Sequence, residues 1–139
     1  MNEELLANAL RLASEHGDIV LASANTRGRP HMMAGGRLWT EEPPDESSNT
    51  VVLTAWFCPV TMENLSVNPH VAILVRDPIT DEGVQLIGDV GAAQALDMTD
   101  GLAPGEETLV SATQVEWRVE VHVRRALRFT RVMHQDLEA

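Results

Sequence analysis

The stretch from Val115 to Arg124 constrains the fold more than any other part of the chain. Val115, Trp117, Val119, Val121 and Val123 alternate there with Glu116, Arg118, Glu120, His122 and Arg124. A period of two puts the apolar set on one face and the charged set on the other, which is a half-buried antiparallel strand. That strand is set to continue to residue 129. It needs strand partners, and the sequence supplies candidates at close spacing. Residues 19–25 and 30–39 flank the turn Thr26-Arg27-Gly28-Arg29 and read as a hairpin. Residues 50–56 (TVVLTAW), 70–76 (HVAILVR) and 84–95 are rich in β-branched residues, with Gly88 and Gly91 marking a bulge or a close approach.

Two segments carry a helical pattern. Over residues 2–16, Leu5, Leu6, Ala9, Leu12 and Ala13 form one apolar stripe. Asn2 is placed to cap the helix and Gly17 to end it. A shorter helix is expected over 61–67, with Thr61 as N-cap and Asn68-Pro69 as the stop. A length of 139 residues fits one domain spanning 1–139. The expected fold is mostly β: a six-stranded antiparallel split β-barrel with an N-terminal helix and a short inserted helix.

Composition removes several functions. Acidic residues outnumber basic ones 21 to 10, a formal charge of −11, which opposes a nucleic-acid-binding surface. Every basic residue is an arginine, so no chemistry that needs a lysine is open to the chain. The single cysteine excludes an intrachain disulfide and suits a reducing cytoplasm. No apolar run is long enough to span a membrane, and the acidic start is unlike a signal peptide. The five histidines fall in no metal-ligand spacing, so no metal site is expected. Nucleophile-elbow, Rossmann and P-loop motifs are all missing.

Between Thr50 and Pro69 a strand runs through Phe57-Cys58-Pro59-Val60 into the short helix. The first-turn amides of that helix, with the Thr61 hydroxyl, make an end able to hold an anion, or Thr61 caps only its own helix. Half of the arginines cluster at positions 118, 124, 125, 128 and 131. They read either as an anion site or, with more weight, as partners for the acidic loop at 41–46 and for Glu116 and Glu120.

The ordered set of segments resembles the pyridoxamine-phosphate oxidase-like family of FMN-binding split barrels. The resemblance rests on Leu21-Ala22-Ser23 followed by Gly28-Arg29-Pro30-His31, and on Thr61, Asn64, Leu65, Asn68, Pro69, Val71, Ile73, Val75 and Asp77. The strand from Gly83 to Gly88 completes it. It covers about residues 4–95 and, more loosely, the final strand.

The resemblance implies a homodimer with FMN at the subunit interface, acting on a small-molecule substrate; composition points to a cytoplasmic setting with no nucleic-acid or membrane partner. It implies a flavin phosphate near Thr61 and Asn64. Ala34, Gly35, Gly36, Thr54, Ala55 and Trp56 would line the ribityl chain and isoalloxazine, and Gln85 would face the flavin. Many members place a lysine or arginine on the phosphate where this chain has Val60 and Thr61. Arg37 is the leading replacement, with Arg27 and Arg29 as alternatives. The C-terminal arginine and histidine signature of a true pyridoxamine-phosphate oxidase is missing, and no catalytic acid or base stands out. An FMN-dependent oxidoreductase is the preferred reading. A non-catalytic protein for FMN, haem or a deazaflavin, and a cofactor-free dimeric module, are the alternatives.

Overall fold

The computed structural model describes residues 2–43, 48–96, 115–130 and 137–138. Helix α1 (Glu3–His16) begins where the Asn2 side chain accepts from the Leu5 amide at 3.0 Å. It ends at Gly17, whose φ of 67° is the left-handed conformation that glycine adopts freely. Strands β1 (Ile19–Ala24), β2 (Pro30–Ala34), β3 (Arg37–Trp39) and β4 (Thr50–Phe57) follow. After them come helix α2 (Pro59–Val67) and strands β5 (His70–Asp77), β6 (Glu82–Ala95), β7 (Val115–Phe129) and β8 (Leu137–Glu138).

The strands form one antiparallel sheet in the order β2-β1-β5-β6-β7-β4-β3, with the two-residue β8 beside β7. The two edge strands, β2 and β3, are separated in sequence only by Gly35 and Gly36. A sheet whose opposite edges are joined by two residues has to curl on itself, so the fold is a barrel split at that junction. The sequence reading of six strands needs correction on this point. What reads as one strand over 30–39 is two, because Gly35 and Gly36 adopt φ of 102° and 98°, which interrupts the ladder and sends the chain to the other edge. Strand β8 is the second addition.

Alternation along β7 is as expected until Arg124. Val119, Val121 and Val123 are buried, but beyond them Ala126 and Leu127 are the buried pair. The register explains the change. Gly88 pairs with Val123 and Ile87 with Arg125, so Arg124 is an extra residue in β7. Gly88 sits against this bulge so closely that a Cβ would lie 2.2 Å from the His122 carbonyl oxygen.

The barrel interior holds Ile19, Leu21, Leu53, Val71, Ile73, Val75, Val84, Leu86, Val119 and Val121. Helix α1 seals it with Leu5, Leu6, Ala9 and Ala13, packing on β3, β5, β6 and β7. Each interior leucine, isoleucine or valine contributes roughly 1.5–3 kcal/mol of transfer free energy. Both helices pack on this cluster, α2 through Met62 and Leu65. The outward residues of β1, β2, β5 and β6 are left half-buried or exposed, and Met32 is 68% exposed. No helix among the described residues is long and apolar enough to cross a membrane.

Candidate functional site: a glycine-floored groove beside the split

At the junction of β2 and β3 the chain leaves a groove of about 430 Å³. It is lined by Met33, Ala34, Gly35, Gly36, Arg37, Thr54, Ala55, Trp56 and Glu116. Seven of the ten residues expected at a cofactor site therefore fall in one place: Ala34, Gly35, Gly36, Arg37, Thr54, Ala55 and Trp56.

Two features explain why the groove exists. The Gly35-Gly36 break lifts the chain off β2 just before it rejoins the sheet as β3. A Cβ on Gly36 would lie 2.8 Å from the Ala55 Cβ and 3.0 Å from the Thr54 carbonyl oxygen, so only glycine lets β3 pack this closely on β4. A Cβ on Gly35 would meet nothing within 4 Å; that glycine faces open space. Trp56 is 38% exposed, which is unusual for an indole and leaves an aromatic surface at the groove wall.

Arg37 supplies the positive charge. Its guanidinium lies 5.4 Å from the centroid of the Trp39 ring and makes no ion pair among the described residues. Arg27 and Arg29 do not reach this groove. They sit in the β1–β2 turn, at the opposite end of β2 from Gly35. The sequence alone does not assign Met33 or Glu116 to a site. Parity puts Glu116 on the outward face of β7, and the strand register then sets it beside Trp56 on β4.

The other three expected residues lie elsewhere. Helix α2 starts at Pro59 rather than Thr61, and its N-cap is Cys58. Proline at the first helical position is pre-organised for the helix, which moves the start two residues earlier. Thr61 is thereby placed inside the helix and is 0% exposed. Its hydroxyl is 3.1 Å from the Cys58 sulfur, so it neither caps the helix nor opens onto a cavity. Asn64 is 5% exposed and donates through Nδ2 to the Ser23 hydroxyl at 3.1 Å, tying α2 to β1. Gln85 lies on the outer face of β6, in register with Leu74 and Leu127, and does not line the groove.

The start of α2 has its own chemistry. Cys58 Sγ sits 3.3 Å from His31 Nε2 on β2 as well as close to Thr61. Burial pushes the thiol up, but hydrogen bonds from the Thr61 hydroxyl and amide and from His31 outweigh it and hold the thiol below its ordinary value.

Two of the five clustered arginines are paired with carboxylates among the described residues. Arg118 pairs with Glu41 and with Glu120 at 3.2 Å, and Arg124 pairs with Asp89. Arg128 borders a separate cleft of about 200 Å³ between α1 and the β5–β6 turn. Arg131 lies outside the described residues.

No protein-family model matches this sequence. No curated protein matches it either. Solved structures do. An FMN-binding protein from Syntrophomonas wolfei subsp. wolfei superposes with a TM-score of 0.65 at 11% identity, covering 94% of this chain and 89% of that one. A protein from Clostridium acetobutylicum related to general stress protein 26, of the pyridoxinephosphate oxidase family, gives 0.64 at 12% identity, over 99% and 96% of the two chains. A pyridoxamine 5′-phosphate oxidase-related, FMN-binding protein from Nostoc punctiforme gives 0.59 at 12% identity, over 96% and 86%. The fold is that of the pyridoxamine-phosphate oxidase-like split barrel. Within this split barrel the groove lies at the split itself, where the β2 and β3 edges separate.

Proposed function

We propose that this split barrel binds FMN in the Gly35–Arg37 groove and works as a flavin-dependent oxidoreductase on a small molecule. The observation that carries the reading is the convergence, in one 430 Å³ space, of an open glycine backbone, an exposed indole and an arginine with no carboxylate partner among the described residues. The volume falls within the range of cofactor pockets. Glycine backbone lets a flat ring approach, Trp56 gives it an aromatic wall, and Arg37 meets the charge of a phosphate. Three of the fold relatives bring independent support, since two are described as FMN-binding and the third as a member of the oxidase family.

In this reading the phosphate lies against Arg37 rather than the Thr61 hydroxyl, which is buried against Cys58. FMN, when bound, supplies the electron or hydride transfer. The chain's own residues bind and orient it, with Arg37 as the anion partner and Gly35, Gly36 and Trp56 shaping the place of the ring.

A homodimer with the cofactor between subunits completes the reading, in a cytoplasmic setting. Outward residues Val20, Ala22, Met32, Ala34, Ala72, Leu74 and Ile87 run in adjacent register across β2, β1, β5 and β6. This is an apolar sheet face that a second copy would cover.

The test is a visible spectrum of the purified protein after mixing with FMN, with light scattering on the same sample. A bound-flavin spectrum that a nicotinamide donor bleaches under anaerobic conditions, on a dimeric particle, is expected. A bound flavin that no physiological donor reduces makes the protein an FMN carrier or sensor instead. A protein that takes up no FMN contradicts the proposal.

A further inference from the structure

The outward row across β3, β4 and β7 reads Arg37, Thr54, Arg118. Trp39, two residues after Arg37, shares its side of the strand. Its indole N–H donates to the Thr54 hydroxyl at 3.0 Å, which draws the ring over β4 between the two arginines. Each guanidinium lies 5.4 Å from the ring centroid, within reach of the π face.

The two cations differ in what else engages them. Arg118 bonds Glu41 and Glu120, so two carboxylates already answer its charge. Arg37 has the Trp39 face alone among the described residues and lines the groove. Glu116, the one carboxylate among the residues lining the groove, pairs with Trp56 two residues along β4 from Thr54 and two strands from β3. That is about 12 Å of sheet from Arg37. The groove is therefore positive at one end and negative at the other.

We propose that Trp39 is the positioning residue for Arg37, and that the pair makes the groove select a phosphorylated ligand over its dephosphorylated counterpart. The inference rests on the reading of the groove as a flavin site and adds the source of its selectivity. A guanidinium already stacked on an anchored ring loses less freedom when it meets an anion than one that is loose in solvent. Dispersing the positive charge over a ring face, rather than against a carboxylate, leaves it available to phosphate.

The experiment titrates FMN and riboflavin into the wild-type protein, Trp39→Leu and Trp39→Phe, following flavin fluorescence. The wild type is expected to prefer FMN. Trp39→Leu should weaken FMN about threefold to tenfold and leave riboflavin within about twofold. Trp39→Phe keeps an aromatic face and should restore most of the preference. An equal loss for both ligands overturns the proposal. Uptake of neither flavin by the wild type defeats the flavin reading instead, and the positioning role is then decided without flavin. In the NMR spectrum of the wild-type protein, the Arg37 Nε–H resonance should be shifted upfield by the ring and should move on addition of inorganic phosphate. Both effects should vanish in Trp39→Leu. An Arg37 resonance at the ordinary arginine position, or one indifferent to phosphate, overturns the proposal by itself.

Discussion

The start of α2 and the Arg37 groove are both places where an anion could sit, and they end up as opposites. At the helix start, Cys58 occupies the cap position and takes the Thr61 hydroxyl, with His31 on its other side. These side-chain groups satisfy one another and the Thr61 side chain is closed off, at 0% exposed. In the groove a guanidinium rests on an aromatic face with no carboxylate paired to it among the described residues, next to backbone that carries no Cβ. A helix terminus attracts anions only while its donors are unmet. The contrast teaches that internal satisfaction, rather than residue type, decides which polar cluster is left for a ligand.

The largest effect that would sharpen this contrast is on Arg37. Arg37→Ala removes the charge-assisted hydrogen bonds to phosphate and should weaken FMN about tenfold to a hundredfold in a fluorescence titration. Unchanged affinity would move the anion site elsewhere. Gly36→Ala comes next, because φ there is 98° and the new methyl would meet Ala55 at 2.8 Å. It should cost about 2 kcal/mol in denaturant unfolding and distort the groove floor. A melt identical to wild type would show that β3 is free to move off β4.

Thr61→Val tests the closed centre. It deletes one buried hydrogen bond and should lower stability by about 1 kcal/mol while leaving FMN affinity within about twofold. Loss of FMN binding in this variant would break the comparison outright. The smallest effect is on pH dependence. The thiol of Cys58 is held below its ordinary value of 9.0. A depressed folded value means that the ionised sulfur adds stability fully above the unfolded value, and that this gain is lost as pH falls through the folded one. Wild type should therefore gain stability relative to Cys58→Ala as pH is raised from neutral toward 9. Alkylation of Cys58 should show a midpoint below that of a free thiol, moving up in His31→Ala. A midpoint at or above the free-thiol value would contradict the hydrogen-bond geometry.

Much of the fold is legible in the sequence because burial imposes a period. The alternation of β7, the stripe of α1 and the Asn2 and Gly17 caps all appear where the pattern places them. The break in the second strand is less visible, since Gly35-Gly36 stands without proline, asparagine or aspartate beside it, and glycine signals a bulge as readily as a change of sheet edge. Threonine is a common cap and cysteine is not, so the sequence points to Thr61 as the start of α2, whereas Pro59 at the first helical position sets it two residues earlier. The groove residues on β2, β3 and β4 carry no local signal of their own, and only the family resemblance points to them. The Arg37–Trp39–Arg118 stack and the His31–Cys58 contact were invisible, because both depend on cross-strand register or on pairs 27 residues or more apart.

The claim that the groove, and not the helix start, receives the ligand is tested most directly by following backbone amide resonances during an FMN titration. The account predicts that Gly35, Gly36, Arg37 and Trp56 move together while Cys58, Thr61 and Asn64 hold their positions. Shifts centred on Val60, Thr61 and Asn64, with Gly35 to Arg37 unmoved, would contradict it.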